Sequence, residues 1–366
     1  MKKIGLVTYY KSYNYGVWLQ AFSTLRFLKN RGYDAELIAY SNPYEESKLK
    51  YAYKEGGRNC GYITSFLKSI LFGKVRYYKK GFKRNMHKYY SITDREFSDV
   101  EEMQELKYDV LAVGSDQVWN PEITNGLEKA FLLEFGKADK RISIASSLGS
   151  KPLAIEDKKR LAQVLNGFDA VSVRENFAKE CLQPVCRKEI KVLADPTFLL
   201  SREEWIDSIA KESKYYNTEE KYILTYFVSK DKSTEKCINL VRGYGKGMGL
   251  PVWAVQFSSY FSEAVERKIL GASIGDFIAL IMNAQVVITD SFHGAALSIN
   301  MKQNFVACVN SENPVRTENL LSQVDLLNRI NMEYTSYEEI DYSEKYSKVE
   351  ALRNDSQEWI VRELER

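Results

Sequence analysis

The feature that most constrains this chain is a repeated alternation between short apolar, β-branched runs and segments with helical spacing. Residues 4–10 form an apolar run, residues 17–32 carry apolar side chains at near-helical spacing, and residues 35–40 are apolar again. The same order returns through residues 108–195 and once more from 222 to 324. Strand, helix and strand in this order are typical of parallel sheets, so we predict an α/β protein built from doubly wound sheets.

The alternation also predicts where the chain divides. A length of 366 residues is enough for two cores. The pattern pauses at Asp195-Pro196, and the polar stretch 201–221 precedes the next strand. We therefore predict two Rossmann-like domains, residues 1–195 and 196–340. Residues 341–366 have helical character, and this C-terminal helix could pack back on the first domain.

Composition excludes several classes of function. Lys and Arg total 52 against 49 Asp and Glu, a net charge of +3 that predicts no nucleic-acid partner. The apolar run 277–282 is too short to span a membrane, and the N-terminal run is too short for a signal peptide, so we expect a cytoplasmic protein. The five cysteines form no C-x-x-C pair and there are two histidines, which predicts neither a disulfide framework nor a metal site.

Two strand-to-helix turns are unusually polar. Ligands of doubly wound sheets bind beyond the carboxyl ends of the strands, so such turns are where a binding site is expected. The residues of interest are Asn14, Tyr15 and Gly16 in the first turn, and Ser115, Asp116, Gln117 and Trp119 in the second. Gly16 allows close approach of a ligand, although the G-x-G-x-x-G fingerprint of dinucleotide sites is absent. Trp119 offers an aromatic platform for a sugar ring, whereas Asn14 and Asp116 could instead simply cap helices.

Two later turns carry cationic and proton-transfer groups. Arg174 follows a strand at the mouth of a helix, where its donor fork could hold an anion or could pair with Glu175. Asp290 and Ser291 are placed to cap the next helix, which puts His293 in its first turn. The positive end of the helix dipole favours the neutral imidazole there, and a neutral imidazole can accept a proton.

Six stretches of sequence together resemble the polysaccharide pyruvyl transferases, over about residues 4–330. They are NYGVWLQAF (14–22), YDVLAVGSDQVWNP (108–121), SVRE (172–175), DPTFLL (195–200), VVITDSFHGAALSI (286–299) and VRTENLL (315–321). The resemblance implies two Rossmann-like domains in the arrangement of GT-B glycosyltransferases, with the acceptor on the first and the donor on the second. It further implies a bacterial enzyme of capsule or exopolysaccharide synthesis that uses phosphoenolpyruvate as co-substrate, needs no other cofactor, and forms a cyclic pyruvate ketal on a sugar.

The resemblance also suggests roles for single residues. Phosphoenolpyruvate carries a phosphate and a carboxylate, and Arg174 and Arg316 match arginines that would hold them. Some members read Arg-Leu-His where this chain reads Ser291-Phe292-His293, so we assign the missing anchor to Arg316, helped by the Ser291 hydroxyl and the backbone around Gly294. His293 would be the catalytic residue, taking a proton from the attacking hydroxyl or giving one to the departing phosphate. The two polar turns, Asn14 to Gly16 and Ser115 to Trp119, would bind the acceptor.

One basic segment bears on partners. Residues 58–88 hold nine Lys and Arg, no Asp or Glu, and many apolar side chains. The segment could be a helical hairpin packed on the first domain. Alternatively, it could contact anionic lipid head groups at the inner face of the membrane or the pyrophosphate of a lipid-linked acceptor. His87, within it, has no setting comparable to that of His293 and is interpreted as a solvated side chain.

Two other functions are compatible with this sequence. A GT-B glycosyltransferase with a nucleotide-sugar donor would share the cleft and the arginines at the helix ends. A non-catalytic glycan-binding protein would bind sugar and release no phosphate. The joint presence of GSDQVW and SFHG favours pyruvyl transfer.

Overall fold

A computed structural model describes residues 1–11, 14–42, 44, 88–149, 151–228, 234–255, 264–309 and 315–366. The basic segment 58–88, apart from Lys88, and His87 within it lie outside these residues. None of the helices in the described ranges is both long enough and apolar enough to cross a membrane.

The first half of the chain forms one parallel sheet. Its elements are β1 (Lys3–Val7), α1 (Tyr15–Asn30), β2 (Asp34–Leu37), β3 (Lys107–Val113), α2 (Pro121–Thr124), β4 (Lys137–Ser143), α3 (Ile155–Leu165), β5 (Val171–Val173), α4 (Asn176–Leu182) and β6 (Ile190–Val192). The strand order is β2-β1-β3-β4, and single bridges from Ile142 to Ala170 and from Ser146 to Val173 join β4 to the pair β5-β6. The central strands are nearly continuous apolar runs because helices cover both faces of the sheet.

The second half forms another parallel sheet. Its elements are α5 (Arg202–Ser208), β7 (Ile223–Tyr226), α6 (Thr234–Met248), β8 (Val252–Val255), β9 (Arg267–Ile269), α7 (Ile274–Asn283), β10 (Val286–Thr289), α8 (Phe292–Asn300), β11 (Phe305–Ala307), α9 (Val315–Gln323) and α10 (Tyr342–Glu365). The strand order is β11-β10-β7-β8-β9. The α/β class predicted from the alternation is confirmed.

The long helix α10 joins the two halves. Asp341 caps its first turn by accepting a hydrogen bond from the Ser343 amide. Near its start, the Tyr346 hydroxyl donates to the Asn300 carbonyl of the second half. Near its end, Lys2 Nζ donates to the Leu364 carbonyl at 2.6 Å, which fixes the helix on the first sheet.

Each sheet reverses its strand order at one point, and there neighbouring loops diverge and leave a crevice. In the first sheet the reversal lies between β1 and β3, so the described residues following these strands, 8–11, Asn14 and 114–120, border the crevice. In the second sheet it lies between β7 and β10, beside Asp290 and Ser291. Helix α1 brings the two crevices together, because Tyr15 stacks on Phe277 of α7 at 4.6 Å between ring centroids.

Candidate functional site

The turn after β1 is the point where the two halves touch. Asn14 caps α1, since its Oδ1 accepts from the Gly16 amide at 2.8 Å, and the same oxygen accepts from the hydroxyl of Tyr226 on β7 at 2.8 Å. The Tyr15 hydroxyl donates to the Ala272 carbonyl at 2.8 Å. These side-chain groups, predicted to face an acceptor, hold the two halves together instead.

Gly16 is required where it lies. A Cβ on this residue would overlap the ring of His293, so the backbone of α1 runs directly against the imidazole. Only a residue without a side chain allows this contact. The contact also places the predicted catalytic residue beside the turn of the other half.

His293 lies in the first turn of α8, as predicted. Ser291 is the N-cap, and its Oγ accepts from the Gly294 amide at 3.3 Å. The His293 residue is only 5% exposed, so its imidazole is enclosed in this structure. Its Nε2 is buried and makes no hydrogen bond with the described part of the chain.

Asp195 is the carboxylate nearest to the imidazole. Its Oδ2 lies 3.4 Å from His293 Nε2 and accepts from Arg174 Nη1 at 2.9 Å, while its Oδ1 accepts from the amide and the hydroxyl of Thr197. Burial alone would raise the pKa of Asp195. The interactions with His293 and with the Arg174 guanidinium, together with the hydrogen bonds from Thr197, outweigh burial and hold the pKa of Asp195 well below its usual range.

Arg174 is a paired, buried cation. Its Nε donates to Glu175 Oε1 at 3.0 Å, its Nη1 to Asp195, and its Nη2 to Ser147 Oγ at 3.4 Å. Burial alone would lower the pKa of Arg174, but the carboxylates of Glu175 and Asp195 raise it instead. Most of its hydrogen-bonding capacity is therefore used inside the protein. The pairing with Glu175 is observed, and anion binding by Arg174 stays a prediction.

Arg316 differs from Arg174. It makes no hydrogen bond or ion pair with the residues that the structure describes, although it is half-buried. Its guanidinium lies 5.9 Å from the centroid of the Phe292 ring, and that of Arg174 lies 4.9 Å from the same centroid. Burial, and then the charge of Arg174, lower the pKa of Arg316. Two neighbouring guanidiniums, one of them without an acidic partner, form a place for an anion.

A small cavity lies beside these groups. Its volume is about 30 Å³, and its lining includes Arg174, Glu175, Asp195, Phe292, Arg316 and Asn319. The predicted donor residues Arg174 and Arg316 thus come together at one cavity, and His293 joins them through Asp195. In the described ranges, no group of three or more His, Cys, Asp and Glu residues could hold a metal ion.

The turn after β3 has a mainly structural role. Asp116 adopts a left-handed φ of 68°, and its Oδ1 accepts from the Gln117 amide at 2.9 Å. Trp119 is fully buried, and its Nε1 donates to the Phe131 carbonyl at 3.1 Å. In this structure Trp119 therefore presents no exposed face to a sugar ring, and its role as a platform stays a prediction. Ser115 remains of interest, because its buried Oγ has no hydrogen-bond partner in the described residues.

Three residues of the site were not predicted to contribute to it, namely Glu175, Asp195 and Phe292. A signal for Asp195 exists in the sequence, because it lies three residues after the end of the short strand β6 and so stands near the carboxyl edge of the first half's strands. Phe292 adjoins His293 in the motif, but the sequence does not show that two distant arginines lie near its ring.

The chain matches a family model and several solved structures. Residues 14–312 match the model of the polysaccharide pyruvyl transferase family. The fold is similar to that of UDP-GlcNAc 2-epimerase from Methanocaldococcus jannaschii, with a TM-score of 0.50, 13% identity and 98% of each chain covered. It is also similar to S. aureus MnaA in a co-structure with UDP, with a TM-score of 0.52, 13% identity, and 99% and 95% of the two chains covered. No curated protein matches significantly. The GT-B-like architecture is confirmed by these likenesses.

Proposed function

Because the chain belongs to the polysaccharide pyruvyl transferase family, we propose that it transfers a pyruvyl group from phosphoenolpyruvate to a sugar of a surface polysaccharide repeat unit. The product would be a cyclic ketal bridging two hydroxyls of that sugar, and phosphate would be released. Phosphoenolpyruvate would be a co-substrate, and no further cofactor is proposed.

One observation carries this proposal. Next to a histidine that contacts a buried carboxylate, Arg316 presents a guanidinium with no acidic partner in the described chain, and Arg174 lies close by. A donor with a phosphate and a carboxylate provides the missing anionic partner. The cavity of about 30 Å³ is smaller than such a donor, so binding requires the Arg316 side chain to move outward.

Arg316 would also take the place of the arginine that is missing from the histidine motif of this chain. Ser291, which stands in that place, uses its hydroxyl to accept from the Gly294 amide. We propose that Arg316 of α9, whose guanidinium lies 5.9 Å from the centroid of the Phe292 ring, supplies the cation that some relatives carry on this turn.

His293 would handle one of the protons that the reaction moves. Protonation at C3 of the donor makes C2 electrophilic, a sugar hydroxyl adds there, phosphate leaves, and a second hydroxyl closes the ring. Asp195 would orient the imidazole and stabilise it when it carries a proton, as a buried carboxylate does in other acid–base pairs.

The test is to incubate the protein with phosphoenolpyruvate and a panel of p-nitrophenyl hexosides, beginning with galactosides. We expect phosphate release that depends on the sugar, and a product heavier by one pyruvyl ketal. Thermal unfolding with phosphoenolpyruvate against UDP- and GDP-sugars separates the donor classes, because only a ligand of the native state raises Tm. A shift with a nucleotide sugar alone would identify a glycosyltransferase, and sugar binding without phosphate release a glycan-binding protein.

A further inference from the structure

The proposed reaction moves more protons than one histidine carries in a single step. Two hydroxyls each lose a proton as their oxygens bond to C2. One proton ends on C3 of the donor, and the other on the phosphate that leaves with the electrons of the C2–O bond. Two proton carriers, each taking one proton and giving one up, complete this balance and return to their starting states.

Glu175 has the features of a second carrier. It is 5% exposed, and its Oε1 accepts from Arg174 Nε at 3.0 Å and from Ser147 Oγ at 2.6 Å. Its Oε2 is buried without a hydrogen-bond partner among the described residues. The residue lines the same cavity as Arg316. Although Glu175 occupies the N-cap position of α4, its side chain does not cap that helix.

A purely structural role explains the hydrogen bonds of Glu175 Oε1 but leaves the unsatisfied Oε2 unexplained. Burying a charged oxygen is costly unless hydrogen bonds satisfy it, and Oε1 receives two such bonds whereas Oε2 receives none from the described chain. Glu175 lines the cavity, so an unsatisfied oxygen on this side chain suits a group that a substrate hydroxyl meets once the cavity opens to admit the donor.

We propose that Glu175 is a catalytic base of this site, an inference that rests on the function proposed above. Its Oε2 takes the proton of the first hydroxyl as that oxygen bonds to C2, and gives the proton to the phosphate as the C2–O bond breaks. His293 gives C3 its proton and recovers one from the second hydroxyl. Arg174 and Ser147 hold the carboxylate in position through Oε1.

The substitution Glu175→Gln tests this role, because it keeps the shape and removes both the charge and the basic oxygen. Phosphate release should fall by roughly 10²–10⁴-fold. The Kd for phosphoenolpyruvate should fall as well, by up to about tenfold, because a negative charge facing the anionic donor is gone. The fall in turnover identifies the role, because a residue that only neutralises Arg174 could change donor affinity but would leave the rate of proton transfer near its wild-type value. The matched control is Glu180→Gln, an exposed glutamate on the same helix.

The outcomes separate this inference from the proposed function. Wild-type protein that neither binds phosphoenolpyruvate nor releases phosphate with the hexoside panel would overturn the function, and the role of Glu175 with it. Wild-type turnover in Glu175→Gln, or a parallel loss of donor affinity and turnover, would overturn the role of Glu175 alone. If thermal unfolding shows that Glu175→Gln is not folded, Glu175→Asp replaces it. That variant keeps the charge but withdraws the oxygen by one methylene, and should bind the donor normally and turn over slowly.

Discussion

The polar turn after β3 and the polar groups around His293 look alike in the sequence but differ in how their side chains are used. After β3, Asp116 accepts from a backbone amide of its own turn, and the indole of Trp119 donates to a backbone carbonyl. Around His293, the imidazole Nε2 and the guanidinium of Arg316 have no hydrogen-bond partner in the described ranges. After β3 only the Ser115 hydroxyl is left without a partner in the described ranges, whereas around His293 the unsatisfied groups include an imidazole and a guanidinium beside one cavity, which is why we place the donor there.

The largest expected effect is on His293. His293→Ala should lower turnover by roughly 10²–10⁴-fold, because the proposed proton transfer loses its carrier. The chain should remain folded, which thermal unfolding checks, and His87→Ala, the other histidine of the sequence, is the matched control. Turnover near the wild-type value would show that the unsatisfied imidazole has no role in catalysis.

The next largest effects are expected for the two arginines, Arg174 and Arg316, which should differ in their effects on stability and donor binding. Arg174→Ala leaves the buried carboxylates of Glu175 and Asp195 without their cation, so the free energy of unfolding should fall by about 3–5 kcal/mol. Chemical denaturation measures this change. If the variant is as stable as the wild type and only binds the donor more weakly, the result would support the donor-binding role of Arg174 predicted from the sequence.

Arg316→Ala should instead leave stability nearly unchanged and weaken donor binding. It breaks no hydrogen bond or ion pair to the described chain, so stability should change little, while the Kd for phosphoenolpyruvate should rise by roughly 10- to 100-fold. Isothermal titration measures the Kd, with the exposed Arg95→Ala as control. Equal donor affinity in the variant and the wild type would remove Arg316 from the donor site.

The lowered pKa of Asp195 in the folded protein means that its stability should depend on pH. Its pKa in the folded state is lower than in the unfolded chain, so the unfolded chain binds more protons and stability decreases as pH falls below about 4. Above that range the contribution is fully present. Asp195→Asn lacks it, so the Tm difference between wild type and variant should shrink on acidification from pH 6 to pH 3. A difference that stays constant with pH would mean that the carboxylate charge adds nothing to stability.

The smallest expected effect is on the turn after β3. Trp119→Phe keeps most of the ring but removes the hydrogen bond to the Phe131 carbonyl, at a cost of about 1 kcal/mol in the free energy of unfolding. Phosphate release and the KM for the hexoside should not change. A raised KM for the sugar would restore the platform role predicted from the sequence.

Much of the fold could be predicted from the sequence, because apolar periodicity reports directly on strands and helices. The strand β9 was missed, since it is a short edge strand that begins with the exposed, charged Arg267 and Lys268. Helix α9 and the strand β10 were expected within a few residues of their observed bounds.

The site was only partly predictable. His293, Arg174 and Arg316 were recognised from their turns and from the family motifs, but the contact of His293 with Asp195 joins residues from different halves of the chain. The hydrogen bond of the Trp119 indole goes to the carbonyl of Phe131, which lies in a short 3-10 helix further along the chain. Such contacts are set by packing between elements, and local patterns do not contain them. The membrane contact of residues 58–88 stays a prediction.

The long helix α10 contacts both halves of the chain, through Tyr346 near its start and through Lys2 near its end. His293 and Asp195 belong to different halves, and their side chains meet at 3.4 Å. Any movement that separated the halves to admit a bulky glycan would therefore have to keep this contact for the imidazole and its carboxylate to act together.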